Sequence, residues 1–260
     1  MTQFITSAAV LAALLLCVPI QAQTPQINAW RTYAARGNAE AQFLLGIAYV
    51  NGEGVPQDDA EAVRWFRLAA ERGHPPAQFL LGLKYSSGEG IPQDDAEAVR
   101  WYRLAAEQGL AAAQSRLGTA YDFGEGVPED NAEAVRWFRL AAEQGLAEAQ
   151  FGLGFMYASG EGVPQDDARA VRWYRLGAEQ GHALAQFYLG LAYAEGQGAP
   201  EDDIQAHMWY TLAAAGAPDN ERRVQMAAER DDVAQRMRPA QIAEAQRLAR
   251  EWDAAHPREP

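Results

Sequence analysis

From residue 39 onward, apolar and small side chains recur at helical spacing, lapse over a short Gly- and Pro-containing stretch, and recur again. In the first such unit Ala41, Leu45, Ala48 and Tyr49 keep the helical period, Gly52 to Asp58 break it, and Ala62, Val63, Phe66, Ala69 and Ala70 resume it. The alternation returns every 36 residues: Gly54, Gly90, Gly126, Gly162 and Gly198 share one slot, Pro56, Pro92, Pro128, Pro164 and Pro200 a second, and Trp65, Trp101, Trp137, Trp173 and Trp209 a third. A period of this length predicts five stacked helix pairs, helix A followed by helix B.

Helix boundaries follow from the same units. Asp58 with Glu61 has the spacing of a capping box, in which each side chain satisfies a free amide of the first turn, and Asp94 with Glu97 and Asp130 with Glu133 repeat it. The fourth unit breaks the box, with Arg169 after Asp166. Gly73, Gly109, Gly145 and Gly181 follow the B helices, where a left-handed residue closes the helix. Ala41, Gly46, Ala62 and Ala69, or equally small replacements such as Gly177, let the paired helices approach closely, while Trp65 and Tyr49 fill the wider end.

The run Ala-Gln-Phe-Leu-Leu-Gly-x-x-Tyr-x-x-Gly-x-Gly-Val-Pro, followed by Ala-Val-x-Trp-Phe-x-x-Ala-Ala-x-x-Gly, resembles the Sel-1-like repeat of the tetratricopeptide-like superfamily. The resemblance spans residues 39–217 as units 39–74, 75–110, 111–146, 147–182 and 183–217. It implies an all-α fold, a right-handed superhelical α/α solenoid of five 36-residue repeats with helical caps. Residues 24–37 align at Tyr33 to Gly37 with Ala69 to Gly73 and are expected to form a lone B-type capping helix. After Gly216 the period fails, and residues 218–256 are expected to close the other end with two helices, ahead of a tail at 257–260. Arg238 stands before Pro239 where such caps often carry Ser or Thr, so that helix start is expected to fray.

The N-terminal residues change the picture of where the chain works. Residues 1–22 carry no charged side chain, and the apolar run Ala8 to Val18 precedes Pro19, Ile20, Gln21 and Ala22. This pattern predicts a signal peptide cleaved after Ala22 and a periplasmic or secreted protein, the run being shorter than the roughly 20 residues of a membrane span. The single cysteine, Cys17, lies inside it, which leaves the processed chain without disulfides, thiolate metal sites or a cysteine nucleophile. A net charge of −13 argues against a nucleic-acid partner.

Candidate chemistry is sparse, and the sequence predicts no catalytic residue, cofactor or metal site. His74 and His182 occupy one slot three units apart, on the order of tens of Å in a stack, and cannot share a metal. His207 replaces Val63 and is expected to be half-buried, while His256 lies near the tail. The acidic turns lack the D-x-D-x-D-G spacing of a calcium loop, and their aspartates serve as helix caps. Gly52 and Gly54 belong to turns rather than a phosphate loop, and no serine sits in a Gly-x-Ser-x-Gly elbow. Cysteine-rich relatives of the family are linked to penicillin binding and β-lactamase activity, but their cysteine pairs are missing from this chain. The tryptophan slot reads as core.

Positions that differ between units are free to recognise something. On helix A these are Glu40/Pro76/Ala112/Glu148/Leu184, Leu44/Leu80/Arg116/Gly152/Tyr188, Ala48/Lys84/Ala120/Met156/Ala192 and Asn51/Ser87/Phe123/Ser159/Glu195. In the family, helix A lines the concave surface. The expected binding face is therefore Leu44, Leu80, Lys84, Arg116, Phe123, Met156 and Tyr188. Helix B instead repeats an arginine pair, Arg64 with Arg67 and their equivalents, expected to bond Glu61 and Glu71, and loses it at Met208 and Thr211 beneath the C-terminal helices. Together these features predict a monomeric, exported, non-enzymatic scaffold that binds a partner protein or peptide of the cell envelope. A cell-wall or β-lactam binding protein or hydrolase, and a secreted host-interaction factor, are the alternatives.

Overall fold

A computed structural model describes residues 20–256, and among these there are thirteen α-helices and no strand. In chain order they are α1 (Ile20–Ala35), α2 (Ala39–Asn51), α3 (Asp59–Ala70), α4 (Pro75–Ser87), α5 (Asp95–Glu107), α6 (Ala111–Phe123), α7 (Asn131–Glu143), α8 (Ala147–Ser159), α9 (Asp167–Glu179), α10 (Ala183–Glu195), α11 (Asp203–Gly216), α12 (Asn220–Gln235) and α13 (Pro239–Ala255). The apolar run Ala8 to Val18 expected to be a leader and the tail at 257–260 lie outside the described residues, and Ile20 to Ala22 begin α1. Two compact units divide the chain, residues 1–108 and 109–260. Both are stacks of antiparallel helix pairs, so the fold is all-α and solenoidal.

Glycine sets the closeness of each pair. A β-carbon on Gly46 would collide with the Phe66 ring of the partner helix, and one on Gly154 would lie 2.7 Å from the Tyr174 ring. The same arrangement repeats at Gly82 with Tyr102, Gly118 with Phe138 and Gly190 with Tyr210. Each aromatic ring of helix B thus fills the groove that a missing side chain opens in helix A. The turn glycines matter for the next level of packing: Gly90 takes φ 73°, and a β-carbon there would strike the Asp59 carbonyl at the start of α3.

Polar groups then tie one pair to the next. Gln42, Gln78, Gln114, Gln150 and Gln186 are all buried. In the 109–260 unit the Gln150 amide donates to the Ala142 carbonyl at 3.3 Å, and its oxygen accepts from Gln180 at 2.7 Å. Gln108 and Gln78 make the equivalent bond at 2.7 Å in the first unit. Gln42 and Gln186 leave their oxygens unpaired because Arg72 and Gly216 occupy the donor's slot. The second arginine of three B helices also reaches across pairs: Arg67 donates to the Tyr85 hydroxyl at 3.0 Å, Arg139 to Tyr157 at 3.2 Å and Arg175 to Tyr193 at 2.6 Å. Arg67 is therefore taken up by a tyrosine rather than by Glu71, whereas Arg64 bonds Glu61 at 3.1 Å as the spacing suggests.

Capping is half of what the sequence pattern suggests. The Asp58 carboxylate accepts from the Glu61 amide at 3.0 Å, but the Asp58 amide donates to the Tyr49 carbonyl, so Glu61 turns away to Arg64. The incoming turn has already satisfied the amide that a reciprocal box would serve. At the first end, Ile27 and Ala34 of α1 pack on Ala41, Leu45 and Ala48. At the last, α12 and α13 both cover α11, where Met208, Leu212 and His207 are buried; His207 is not half-buried as expected but as enclosed as Val63, Val99, Val135 and Val171 in the same slot. Arg236, just past the end of α12, bonds Asp203 of α11 at 2.6 Å and the Ala194 carbonyl of α10 at 2.9 Å. Arg238 offers no side-chain acceptor to the first turn of α13, as expected, and Gln241 reaches back only to accept from the Arg238 amide at 3.0 Å.

Replacing Gln150 by leucine removes both bonds of the buried Gln150 amide, a loss of about 1–3 kcal/mol in urea unfolding. Gln186→Leu should cost less, because the Gln186 oxygen has no donor to lose.

Candidate functional site in the 109–260 unit

The expected binding residues are divided between the two units. In the first, Leu44 and Leu80 are half-buried on α2 and α4. Lys84 is no free cation: its ammonium lies 2.8 Å from both Asp59 and Glu89, with the side chain 12% exposed. In the second unit Arg116 is exposed and Phe123 is 70% exposed at the end of α6. Tyr188 leans into an aromatic cluster, its ring 5.5 Å from both Phe151 and Tyr174.

Met156 must be removed from the binding face. It is fully buried among Leu153, Tyr157 and Ala149. Its slot holds Ala48, Ala120 and Ala192 elsewhere, all buried, so the slot points between helices. Lys84 shares it only by running its aliphatic stem out to the acids at the edge.

What the second unit builds is a cleft of about 500 Å³, lined by Thr119, Asp122 and Phe123 of α6, Phe138 of α7, Glu148, Phe151, Gly152 and Phe155 of α8, and His182 and Leu184. Its opening is the missing side chain of Gly152. Leu44, Leu80, Arg116 and Tyr188 hold that slot in the other four repeats. Gly152 is helical, and a β-carbon there would first meet the Phe138 ring, at 3.1 Å. Helix-interior glycine costs about 1 kcal/mol relative to alanine, and a larger residue here would have to push the buried Phe138 ring aside by a few tenths of an ångström.

Two acids mark the ends. Burial, and then the like charges of Glu161 and Glu129, hold the Asp122 carboxyl above its ordinary range. Glu148 stands across from His182, whose Nδ1 caps α10 by accepting from the Ala185 amide at 3.2 Å. Burial depresses the His182 imidazole, so it remains neutral and leaves the Glu148 charge unanswered. The equivalent pair in the first unit is closed, with His74 Nε2 2.9 Å from Glu40. Among the described residues no His, Asp and Glu side chains gather into a metal-binding group.

The helix pairs, their Gly-on-aromatic contacts and the Gly-x-Gly turns are the features by which relatives can be recognised. Residues 39–74, 75–110, 111–146, 147–182 and 183–217 each match the Sel1 repeat. This chain is a Sel1 repeat protein. A protective antigen present in uropathogenic Escherichia coli strains, displaying an SLR fold, is 38% identical with a TM-score of 0.74; the match covers 88% of this chain and 49% of the antigen, so the chain spans about half of that protein. A Sel1 repeat protein from Oxalobacter formigenes is 35% identical with a TM-score of 0.71, over 88% of its own length and 87% of this one. No curated protein matches it. The Sel1 repeat is a scaffold fold that generally mediates protein interactions and is typically non-catalytic. No helix of the described residues is long and apolar enough to cross a membrane.

Sequence reasoning on this Sel1 repeat protein picked Phe123 but missed Asp122, Gly152 and Phe155. The signal was present at two of them: Val50, Ser86, Ala158 and Ala194 fill the Asp122 slot elsewhere, so the third repeat alone has an acid there, and the fourth alone has a glycine at 152.

Because the folded Asp122 carboxyl lies above its unfolded value, its ionised form is disfavoured by folding. Stability is therefore greatest below the ordinary carboxylate range and falls as pH rises through the elevated value. Asp122→Asn should raise Tm at neutral pH by roughly 1–2 °C, with the gain disappearing below about pH 4, as thermal melts across pH would show.

Proposed function

We propose that this protein is an exported scaffold that holds a partner protein or peptide of the cell envelope against the A helices, with the cleft over Gly152 as the anchoring site. The observation that carries this reading is the cleft itself: four phenylalanines line the space over a helix-interior glycine whose slot holds a large side chain in the other four repeats, in a family whose fold serves protein interactions. Phe123 supports it further, since a large aromatic ring 70% exposed on a helix end costs hydration and gains nothing within the fold. Aromatic anchors of this kind, bordered by polar groups, are what the centres of binding sites favour. Export is supported by the uncharged apolar run from Ala8 to Val18 and the small residue Ala22.

Two measurements test the two halves. Mass spectrometry of the chain recovered from its own cells should find a mature N-terminus at Gln23; recovery of the intact residues 1–260 would remove the export half. Affinity capture from envelope extract should recover one partner with residues 23–260 and lose it with Phe123→Ser, the residue present in the second and fourth repeats. Undiminished capture by that variant would place the binding surface elsewhere.

A further inference from the structure

The cleft over Gly152 has a chemistry more specific than an apolar groove. We propose that it takes an extended peptide segment in which a bulky apolar side chain is flanked on both sides by basic residues, the apolar group filling the space over Gly152 and the two cations meeting Asp122 and Glu148. This inference rests on the reading of the cleft as a binding site and names the occupant that its charges select.

Spacing supports two separate cation sites rather than one. Both α6 and α8 run in the same direction, since the early glutamines Gln114 and Gln150 lie level with the end of α7, where Gln144 and Ala142 reach them. The α8 equivalent of Asp122 is Ala158, ten residues beyond Glu148. At about 1.5 Å per residue the acids stand roughly 15 Å apart along the helices. Extended chain advances about 3.3 Å per residue, so four to five residues span that interval. Long basic side chains at the first and fifth positions then reach both ends while the third lies over the glycine.

Charge points the same way. Among the described residues no cation pairs with Asp122 or with Glu148, whereas Glu40, which holds the slot of Glu148 on α2, bonds His74 at 2.9 Å. The Asp122 end is made more negative still by Glu129 and Glu161. Walls of phenylalanine add to the match, because aromatic faces attract cations and accept the methylene stems of Arg and Lys. An acidic segment would meet like charge at both ends of the cleft, and a neutral one would leave both acids partly desolvated without compensation.

The test uses three synthetic peptides, Arg-Ser-Phe-Ser-Arg and its versions with Gln or with Glu in place of both arginines, added at millimolar concentration to the full processed chain carrying a ¹⁵N label. The amides of Gly152, Thr119 and Phe123 should shift with the basic peptide. Affinity should fall roughly five- to tenfold with the Gln peptide, and the Glu peptide should give no shift. Asp122→Asn combined with Glu148→Gln should abolish the preference for Arg over Gln without lowering Tm, which separates lost charge from lost structure. Equal binding of the Arg and Gln peptides would overturn the basic-segment inference and leave the groove reading standing. A retained preference in the double variant would also overturn it, by placing the cations elsewhere. Shifts at no cleft amide with any peptide would overturn both this inference and the assignment of the cleft as the anchoring site.

Discussion

An aromatic ring lying where a β-carbon would otherwise be is the contact on which this structure depends. Phe66 over Gly46 and Tyr174 over Gly154 bring each pair of helices together more closely than any larger side chain would allow. That closeness fixes the rest. With the pair closed, the buried glutamine of helix A reaches the carbonyl of the preceding helix B, and the next helix B reaches its oxygen in turn. Dispersion and hydrogen bonding then act on the same register, so that a shift in one would break the other.

A repeat built this way has little freedom at its contact positions and much at the remaining ones. Recognition can arise only where a unit departs from its neighbours without disturbing the contacts. The third and fourth repeats do so at adjoining positions: Asp122 and Phe123 extend from the end of α6, and Gly152 removes the side chain that would lie beneath them. Two glycines on α8 thus have opposite meanings. Gly154 is required by the Tyr174 ring, 2.7 Å from where its β-carbon would lie, whereas the slot of Gly152 two residues earlier holds Leu, Arg or Tyr in the other repeats.

Most of the fold was legible in the sequence because its determinants are local and repeated. Glycines, prolines and aspartates at a fixed interval mark where each helix stops and starts, and the tryptophan and alanine slots mark the buried face. The glutamine ladder was less legible. Gln150 stands in the repeat motif, but that it spans three helices depends on two partners, Ala142 and Gln180, that only the packed structure brings to it. The site was legible in part. Phe123 stood out as a large apolar residue in a polar slot, and it proves exposed. Met156 misled because slots eight residues apart on helix A seemed to share one face, yet the pairs are so closely packed that this edge of the helix is interior. Gly152 escaped notice for the opposite reason: an absent side chain suggests nothing until its neighbours are seen to leave the space empty.

The division between glycines that hold the fold and a glycine that opens the site is tested most directly by urea unfolding of Gly154→Ala and Gly152→Ala side by side. Gly154→Ala should lose about 1–3 kcal/mol through collision with Tyr174, while Gly152→Ala, whose helix-propensity gain of about 1 kcal/mol offsets a slight displacement of the Phe138 ring, should stay within about 1 kcal/mol of the parent. Equal destabilisation by the two substitutions would show that Gly152 is held by packing after all, and would contradict the account.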